Sequence, residues 1–290
     1  MEILHQSLIH CTVVRVITLK DELFVLCYGG DDVVTSNGSS IRVCDCNNLE
    51  AVRDVIVVPD LGTQQHMRNI AACNVTDYVY VLVDDSDTIS SSIVRIQRDE
   101  QRRHHFQTWI TDISYSAGDM SVSIKGRLLI IHFPPAVHTK AISIFNLDGS
   151  LQRHVVLSPE IYGINCIEGV IQKSNGNLLL TSVSRYPKQT VVLEIDENGI
   201  IEGQYTSEFR GSSGVSFDDI SGRILINNHE SRMVLLDSEF NTLDFTHPQP
   251  DQNDLLIFRG LHYDRERNEF VGFDVAERKS VLTIFRFNEE

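Results

Sequence analysis

The sequence lacks several features that would mark a membrane or secreted protein. It has one tryptophan and four methionines in 290 residues, and no stretch approaches the roughly 20 apolar residues that a membrane-spanning helix needs. The segment from Met1 to Gln6 also lacks the basic start and apolar core of a secretory signal. We therefore expect a soluble, cytoplasmic protein that does not associate with membranes.

Basic residues are also scarce relative to acidic ones. The chain has 25 Lys and Arg against 40 Asp and Glu, which gives a formal net charge of −15. Such a surface repels polyanions on average, because binding to nucleic acid depends on cations that displace counterions. The densest basic segment, from Arg95 to His105, is interpreted as an exposed strand and turn. Nucleic acid is therefore a disfavoured partner.

Reactive motifs are missing as well. The six cysteines form no Cys-x-x-Cys pair and lie mostly within apolar runs, which is typical of reduced, buried thiols. His132, His229 and His262 lack the tight His/Cys spacing of a zinc site, so they are interpreted as core or loop residues. There is no Gly-x-Ser-x-Gly elbow, P-loop or dinucleotide fingerprint.

A repeated unit fills the chain instead. A turn rich in Gly, Asp or Asn is followed by a short apolar strand, a polar loop and a second strand, and this pattern recurs six times. The first of these strands are predicted at residues 23–27, 79–83, 128–131, 178–180, 224–226 and 269–273. Units begin roughly 45–55 residues apart, within the range of four-stranded propeller blades. The sequence predicts an all-β, six-bladed β-propeller with antiparallel blades as a single domain over residues 1–290.

The two ends of the chain predict how the ring closes. The last unit stops after its third strand, whereas residues 3–9 precede the first complete unit and have no partner there. We expect this N-terminal segment to supply the missing outer strand of the last blade, which would pair an open sheet edge. The alternative is that residues 1–9 form a frayed tail.

Two units resemble a known repeat. The segment from Gly222 to Asp237 has a strand, a polar Asn-His loop, an arginine and a strand that ends in Asp, and Tyr78 to Ile96 is a looser match. They resemble NHL-type repeats, the six-bladed propellers at the C-terminus of many tripartite-motif proteins. The resemblance implies a scaffold that binds proteins or RNA. Without a RING, B-box or coiled coil in this sequence, we expect no ligase role.

Propeller geometry restricts where a binding site would lie. Successive strands are antiparallel, so the loop between the second and third strands lies on the same side as the links between blades. We call this side the link face, and the opposite side, which carries the turns between first and second strands, the hairpin face. The first hypothesis is a binding module that docks a protein or peptide, or a small molecule at the channel mouth of the link face, without a cofactor. Its candidate residues are Arg68, Asp84, Asp119, Glu168, Arg185, Tyr186, His229, Arg259 and Asp274.

The second hypothesis is a metal-dependent hydrolase. It resembles the six-bladed lactonase and gluconolactonase group, whose enzymes hold a divalent cation at the channel mouth. Calcium needs six or more oxygen ligands, which carboxylates and amides supply. The candidate ligands are Glu168, Asp119, Asn227 and Asp274, although the group's motifs are not recognisable around them.

Overall fold

The computed structural model describes residues 2–29, 39–59, 61–101, 103–114, 117–133, 139–162, 165–184, 189–207, 214–218, 221–227, 233–246, 260–276 and 279–286. Within these ranges the chain forms 24 β-strands and one short helix. The strands form six antiparallel sheets of four strands each. The first strand, β1 (Glu2–Ile9), is separated from the sheet formed by the residues that follow it.

The first three sheets follow one another along the chain. Blade 1 contains β2 (Thr12–Leu19), β3 (Glu22–Tyr28), β4 (Ser39–Asp45) and β5 (Asn48–Ile56). Blade 2 contains β6 (Gln65–Cys73), β7 (Tyr78–Asp85), β8 (Ser90–Arg98) and β9 (His104–Ser114). Blade 3 contains β10 (Met120–Val122), β11 (Leu128–His132), β12 (Ala141–Phe145) and β13 (Leu151–Val156).

The remaining sheets complete the set. A single helical turn, α1 (Pro159–Tyr162), leads into blade 4, which contains β14 (Asn165–Gln172), β15 (Leu178–Ser184), β16 (Thr190–Ile195) and β17 (Ile201–Thr206). Blade 5 contains β18 (Gly214–Asp218), β19 (Arg223–Asn227), β20 (Met233–Leu236) and β21 (Thr242–Thr246). Blade 6 contains β22 (Gly260–Asp264), β23 (Glu269–Ala276) and β24 (Lys279–Arg286), with β1 as its fourth strand.

The apolar pattern of each strand matches its position in the blade. The middle strands are buried on both faces because each blade packs against two neighbours, so β11 and β12 are buried throughout. The outer strand β17 is mostly exposed. The apolar core consequently lies between adjacent sheets, as where Ile17 and Phe24 of blade 1 pack in one cluster with Ile70 and Val79 of blade 2.

The predicted turns have the backbone geometry that their residues allow. Gly222, between β18 and β19, has φ of +73°, and Asn268, between β22 and β23, has φ of +55°. Both lie in the left-handed region, which glycine and asparagine adopt at the lowest cost.

The six innermost strands form a closed ring. β2, β6, β10, β14, β18 and β22 each contact the next, and β22 contacts β2. The predicted six-bladed propeller is therefore confirmed. The five cysteines with described side chains are all buried and free, as expected. No helix among the described residues is long and apolar enough to cross a membrane.

Ring closure through the N-terminal strand is also confirmed. β1 pairs antiparallel with β24, from Glu2 opposite Arg286 to Ile9 opposite Ser280. Next to this pairing, the Ser280 hydroxyl donates to the Cys11 carbonyl and accepts from the Val13 amide, both at 2.9 Å. Because Cys11 directly precedes β2 and Val13 lies within it, blade 6 is fixed to blade 1 as well as to β1.

The closing strand makes a testable contribution to stability. Removing residues 1–9 should destabilise the protein by several kcal/mol and lower Tm on the order of 10 °C, because the edge of β24 and its core contacts become exposed. A matched pair of variants within β1 tests the same idea in the full chain. Ile9→Asn, at a buried position, should lower Tm, whereas Leu8→Asn, at a position that is 51% exposed, should not. Equal melting curves for both variants in thermal unfolding would contradict closure by β1.

Candidate functional site

The structure describes part of the predicted site. The side chains of Arg68, Asp84, Asp119 and Asp274 are described, and Asp274 is partly buried in β23 opposite Val281. Glu168 and Asn227 lie in β14 and β19, but their side chains lie outside the description. The other predicted residues lie outside the described ranges: Arg185, Tyr186, His229 and Arg259.

Arg68 and Asp84 form an ion pair on the link face of blade 2. Arg68 is the extra residue of a β-bulge in β6, and its Nε lies 3.7 Å from Oδ2 of Asp84 in β7. Asp84 is buried and accepts a hydrogen bond of 2.6 Å from the hydroxyl of Ser91. The Arg68 side chain, by contrast, is 53% exposed. Asp84 therefore serves as an anchor, and Arg68 is the group that a partner can reach.

Tyr28 joins this pair to the neighbouring blade. Its hydroxyl donates a 2.6 Å hydrogen bond to the carbonyl of Met67, so the end of β3 is fixed to β6. Burial raises the pKa of Tyr28 above its ordinary value, while the charge of Arg68 opposes that rise. The phenol is thus a neutral donor that holds blades 1 and 2 together at the link face.

The turn between β7 and β8 lies beside the ion pair. The Ser86 amide donates to the Gln64 carbonyl, and Gln65 donates to Asp85, so the turn is held against the start of β6. Ile89, the last residue of this turn before β8, has φ of +52° and is 71% exposed. A β-branched residue in the left-handed region is strained, at a cost of about 1–3 kcal/mol. We call Arg68 and Ile89 together the blade 2 corner.

A second exposed apolar side chain lies on the link face of blade 3. Phe133 follows the end of β11 and is 51% exposed. The ammonium of Lys140 lies 5.8 Å from the centre of its ring, within the range of a cation–π contact. The described part of the link face therefore combines apolar and basic groups on adjacent blades.

Asp119 binds side chains and backbone from several blades within the channel. Its Oδ1 accepts a 2.8 Å hydrogen bond from the side-chain Nδ2 of Asn69 and lies 3.3 Å from the guanidinium of Arg15. Its Oδ2 accepts from the backbone amide of Val170 at 3.3 Å. Asp119 precedes β10, so one buried carboxylate connects blades 1, 2, 3 and 4.

Backbone irregularities place these groups at one level. Bulges interrupt β2 just before Arg15 and β6 just before Asn69. Gly118 and Asp119 both hydrogen-bond to Ile131, so two residues oppose one there as well. A bulge redirects the side chains that follow it, and here it turns polar groups toward the channel.

These contacts bear on the metal hypothesis. Both carboxylate oxygens of Asp119 already have protein partners. Among the residues with described side chains, no group of three or more His, Cys, Asp or Glu is arranged to hold a metal ion. Asp119 therefore has a structural role in the described residues that does not depend on a metal ion.

His132 belongs to a buried polar chain within blade 3. Its Nε2 hydrogen-bonds to the hydroxyl of Ser143 at 2.5 Å, and Ser143 also hydrogen-bonds to Nδ1 of His154 at 2.7 Å. A serine flanked by two histidines resembles a nucleophile with its base, but Ser143 is fully buried. Burial lowers the pKa of His132 to about 4. The three residues therefore hold β11, β12 and β13 together as neutral groups.

His262 joins blade 6 to blade 1 near the channel. Its Nε2 accepts a 3.0 Å hydrogen bond from the backbone amide of Thr18 and lies 2.9 Å from the Thr18 hydroxyl. An accepting Nε2 requires a neutral imidazole protonated on Nδ1. Burial, with a smaller effect from the charge of Arg15, lowers the pKa of His262 to about 3.

The central cavity lies at the other end of the channel from the predicted site. It has a volume of about 220 Å³ and is lined by the second halves of the innermost strands and by hairpin turns. The sequence predicts a small-molecule site at the link face, whereas this cavity is at the hairpin face.

Sequence reasoning missed Arg15 and Asn69. The only signal was a charged or amide residue within an otherwise apolar first strand, between Val14 and Val16 for Arg15 and beside Ile70 for Asn69. Such a residue indicates a buried partner without identifying it.

Comparison with solved structures establishes the fold of the chain, but not its family or function. The β-propeller domain of Cps50 (Swd1) from Myceliophteria thermophila is similar with a TM-score of 0.56 and 7% identity, covering 97% of this chain and 98% of that one. U3-55K is similar with a TM-score of 0.57 and 10% identity, covering 96% and 98%. No protein-family model and no curated protein matches the sequence. The protein is a six-bladed β-propeller.

Because the buried histidines are neutral in the folded protein, its stability should depend on pH. An unfolded histidine has a pKa near 6.5, whereas His262 in the folded state has a pKa of about 3. Between these values the unfolded chain binds the extra proton, so stability should fall as the pH drops below about 6.5, by about 1.4 kcal/mol per pH unit for each such group.

Two variants isolate the contribution of His262. His262→Gln, whose side-chain oxygen can still accept from Thr18, should reduce the slope of Tm against pH between about pH 6 and 4. His66→Gln, at an exposed position in β6, serves as the matched control. Identical slopes for wild type and His262→Gln would show that His262 is not a buried neutral group.

Proposed function

We propose that this propeller is a protein-binding module that docks a protein or peptide on its link face, at the blade 2 corner. The fold supports this role because propellers commonly serve as interaction scaffolds. Partner recognition on such a surface needs an accessible apolar anchor beside a polar group.

Ile89 is the observation that carries the proposal. It is the most exposed of the large apolar side chains among the described residues, and its backbone conformation suits Asn or Gly far better. An isoleucine that is 71% exposed buries little apolar surface to offset this strain. Strain of this kind tends to persist at binding surfaces, where it has a function.

Arg68, in β6 of the same blade, supplies a polar group on the same face. Its guanidinium is held by buried Asp84 at one edge and remains half-exposed, so it can still bind a carboxylate on a partner. The proposed partner is therefore a segment with an apolar side chain near an acidic group or a C-terminal carboxylate.

We also propose that the chain belongs to the NHL-type repeat family. This assignment rests on the two units that carry the motif, Gly222 to Asp237 and Tyr78 to Ile96. The family resemblance implies protein or RNA partners, and the net charge of −15 favours protein. The proposed docking surface would extend around the same face to four further candidates from the sequence, Arg185, Tyr186, His229 and Arg259.

A peptide selection tests the docking surface directly. Peptides selected from a random phage-display library on the wild-type protein would be synthesised, and their Kd would be measured by fluorescence polarisation. Ile89→Asn and Arg68→Ala should each weaken binding by about tenfold or more, as expected for anchors. Ile200→Asn, which replaces an isoleucine that is 60% exposed next to β17, is the matched control and should leave Kd unchanged.

Stability separates a binding effect from misfolding. Ile89→Asn should leave Tm equal to that of wild type or raise it, with a gain of about 1 kcal/mol, because asparagine tolerates the left-handed conformation. Peptides that bind Ile89→Asn and Arg68→Ala as tightly as wild type would place the docking surface elsewhere.

The hydrolase hypothesis has its own test. Millimolar Ca²⁺ should leave Tm unchanged and EDTA should have no effect, because Asp119 is already bound to Asn69, Arg15 and Val170. A rise in Tm with Ca²⁺ that disappears in Asp119→Asn would restore the metal site. Since Asp119→Asn leaves Arg15 without its carboxylate, its Tm without metal must be measured alongside.

A further inference from the structure

The cavity at the hairpin face is a small chamber in the channel, and all six innermost strands contribute to its lining. Its volume is about 220 Å³. A single water needs only about 10–15 Å³, whereas drug-sized ligands occupy pockets of about 300–1,000 Å³. The space therefore suits one small organic molecule rather than a peptide.

Apolar side chains form much of the cavity wall. Val75 and Ile124 lie in the turns that follow β6 and β10 and are 57% and 37% exposed. Val215 and Phe217 of β18 line the cavity from blade 5. Apolar walls with a few polar groups at defined positions are typical of small-molecule sites.

The lining gives no clear advantage to a charged ligand. None of the lining residues that the structure describes is Asp or Glu, so a cation would find no carboxylate there. Arg15, on β2, is already paired with the buried carboxylate of Asp119 at 3.3 Å, and Arg265, in the turn after β22, has an interaction of its own within the chain. A neutral molecule fits this wall, because an ion that leaves water without a counter-ion loses free energy of solvation.

His262 presents a hydrogen-bond donor to the cavity that it lines. Its Nε2 accepts from the backbone amide of Thr18 at 3.0 Å, so the neutral ring carries its proton on Nδ1. This N–H has no partner among the described residues, because both hydrogen bonds of the ring involve Nε2. Protein atoms do not enclose it either. The ring is therefore held in one orientation and offers one N–H to an occupant of the channel.

Ser216 presents a second polar group from the adjacent blade. Its hydroxyl also lacks a partner in the described part of the chain and, unlike the hydroxyl of Ser121, is not enclosed by protein atoms. Ser216 and His262 are each the central residue of a five-residue innermost strand, and these two strands, β18 and β22, contact each other. Both strands end in an aspartate that accepts from a backbone amide of the following turn. The two residues therefore occupy equivalent positions in neighbouring blades.

We propose that this cavity binds a small neutral molecule that carries a carbonyl group, a ketone or an amide, on a short apolar body. The carbonyl oxygen would accept from Nδ1 of His262, the Ser216 hydroxyl would bind the same oxygen or an amide N–H beside it, and the apolar body would pack on Val75 and Phe217. Because Thr18 already fixes the imidazole, little conformational freedom is lost on binding. The site lies on the face opposite the blade 2 corner, so it does not depend on the docking proposal.

Six-membered rings with and without an acceptor test the proposal. Cyclohexanone, benzene and cyclohexylammonium would be titrated by ligand-observed NMR. Benzene is the more apolar of the two neutral rings, so it would bind more tightly if the cavity selected only for apolar surface. We expect the reverse, with cyclohexanone at least about threefold tighter than benzene. Equal or tighter binding of either probe without an acceptor, or no binding of cyclohexanone at millimolar concentration, would overturn the proposal.

The His262 ring reports on its own hydrogen bond. In protein that carries isotope-labelled histidine, cyclohexanone should shift the Nδ1 resonance of His262, which is assigned by its absence in His262→Gln. The exposed His66 ring in β6 is the internal control and should not respond. An unchanged His262 resonance at saturating cyclohexanone would show that the carbonyl is bound elsewhere.

Two serines in the lining form a matched pair of variants. Ser216→Ala removes a hydroxyl without a protein partner, so it should weaken cyclohexanone by about threefold and leave Tm unchanged. Ser123→Ala removes a hydroxyl that accepts a 3.1 Å hydrogen bond from the Arg127 amide, so it should lower Tm and leave the affinity unchanged. Wild-type affinity in Ser216→Ala, or an equal loss in both variants, would contradict the proposed contact with Ser216.

Discussion

The pairing of β1 with β24 is the constraint on which the rest of the structure depends. It supplies the fourth strand of blade 6, and the adjacent Ser280 hydroxyl joins that blade to the start of β2. Without β1, the outer edge of β24 would have no paired strand and blade 6 would have only three strands. At the opposite edge of the blades, the innermost strands face one another across a channel, where Asp119 reaches partners on three other blades.

Buried polar groups in this ring chiefly hold blades together. Asp119 crosslinks four blades, His262 joins the last blade to the first, and the Ser143 hydroxyl binds two histidines within blade 3. All three resemble functional groups by residue type. Their partners satisfy them internally, because a buried polar group without a partner costs free energy. Residue type alone therefore identifies where polar groups lie, but not what they do.

The number of blades and the closing strand could be predicted because their signals are local. Apolar runs such as Leu128 to Ile131 and turns such as Ser221-Gly222 recur along the chain, and the missing fourth strand shows in the last unit. The network around Asp119 could not be predicted, because bulges before Arg15 and Asn69 shift the alternation of side chains by one residue. The cavity at the hairpin face was missed for a related reason. Its lining comes from six segments far apart in sequence, none of which carries a motif.

The location of β1 also determines the order in which the molecule can assemble during synthesis. Residues 2–9 are synthesised before residues 280–286, with which they pair. Contacts over so large a sequence separation are slow to form, because the entropy of closing so long a loop is lost before the contacts stabilise the fold. Until then, β1 and the unfinished ring present unpaired edges. Temporary protection of those edges by a chaperone would have its greatest effect at this late step.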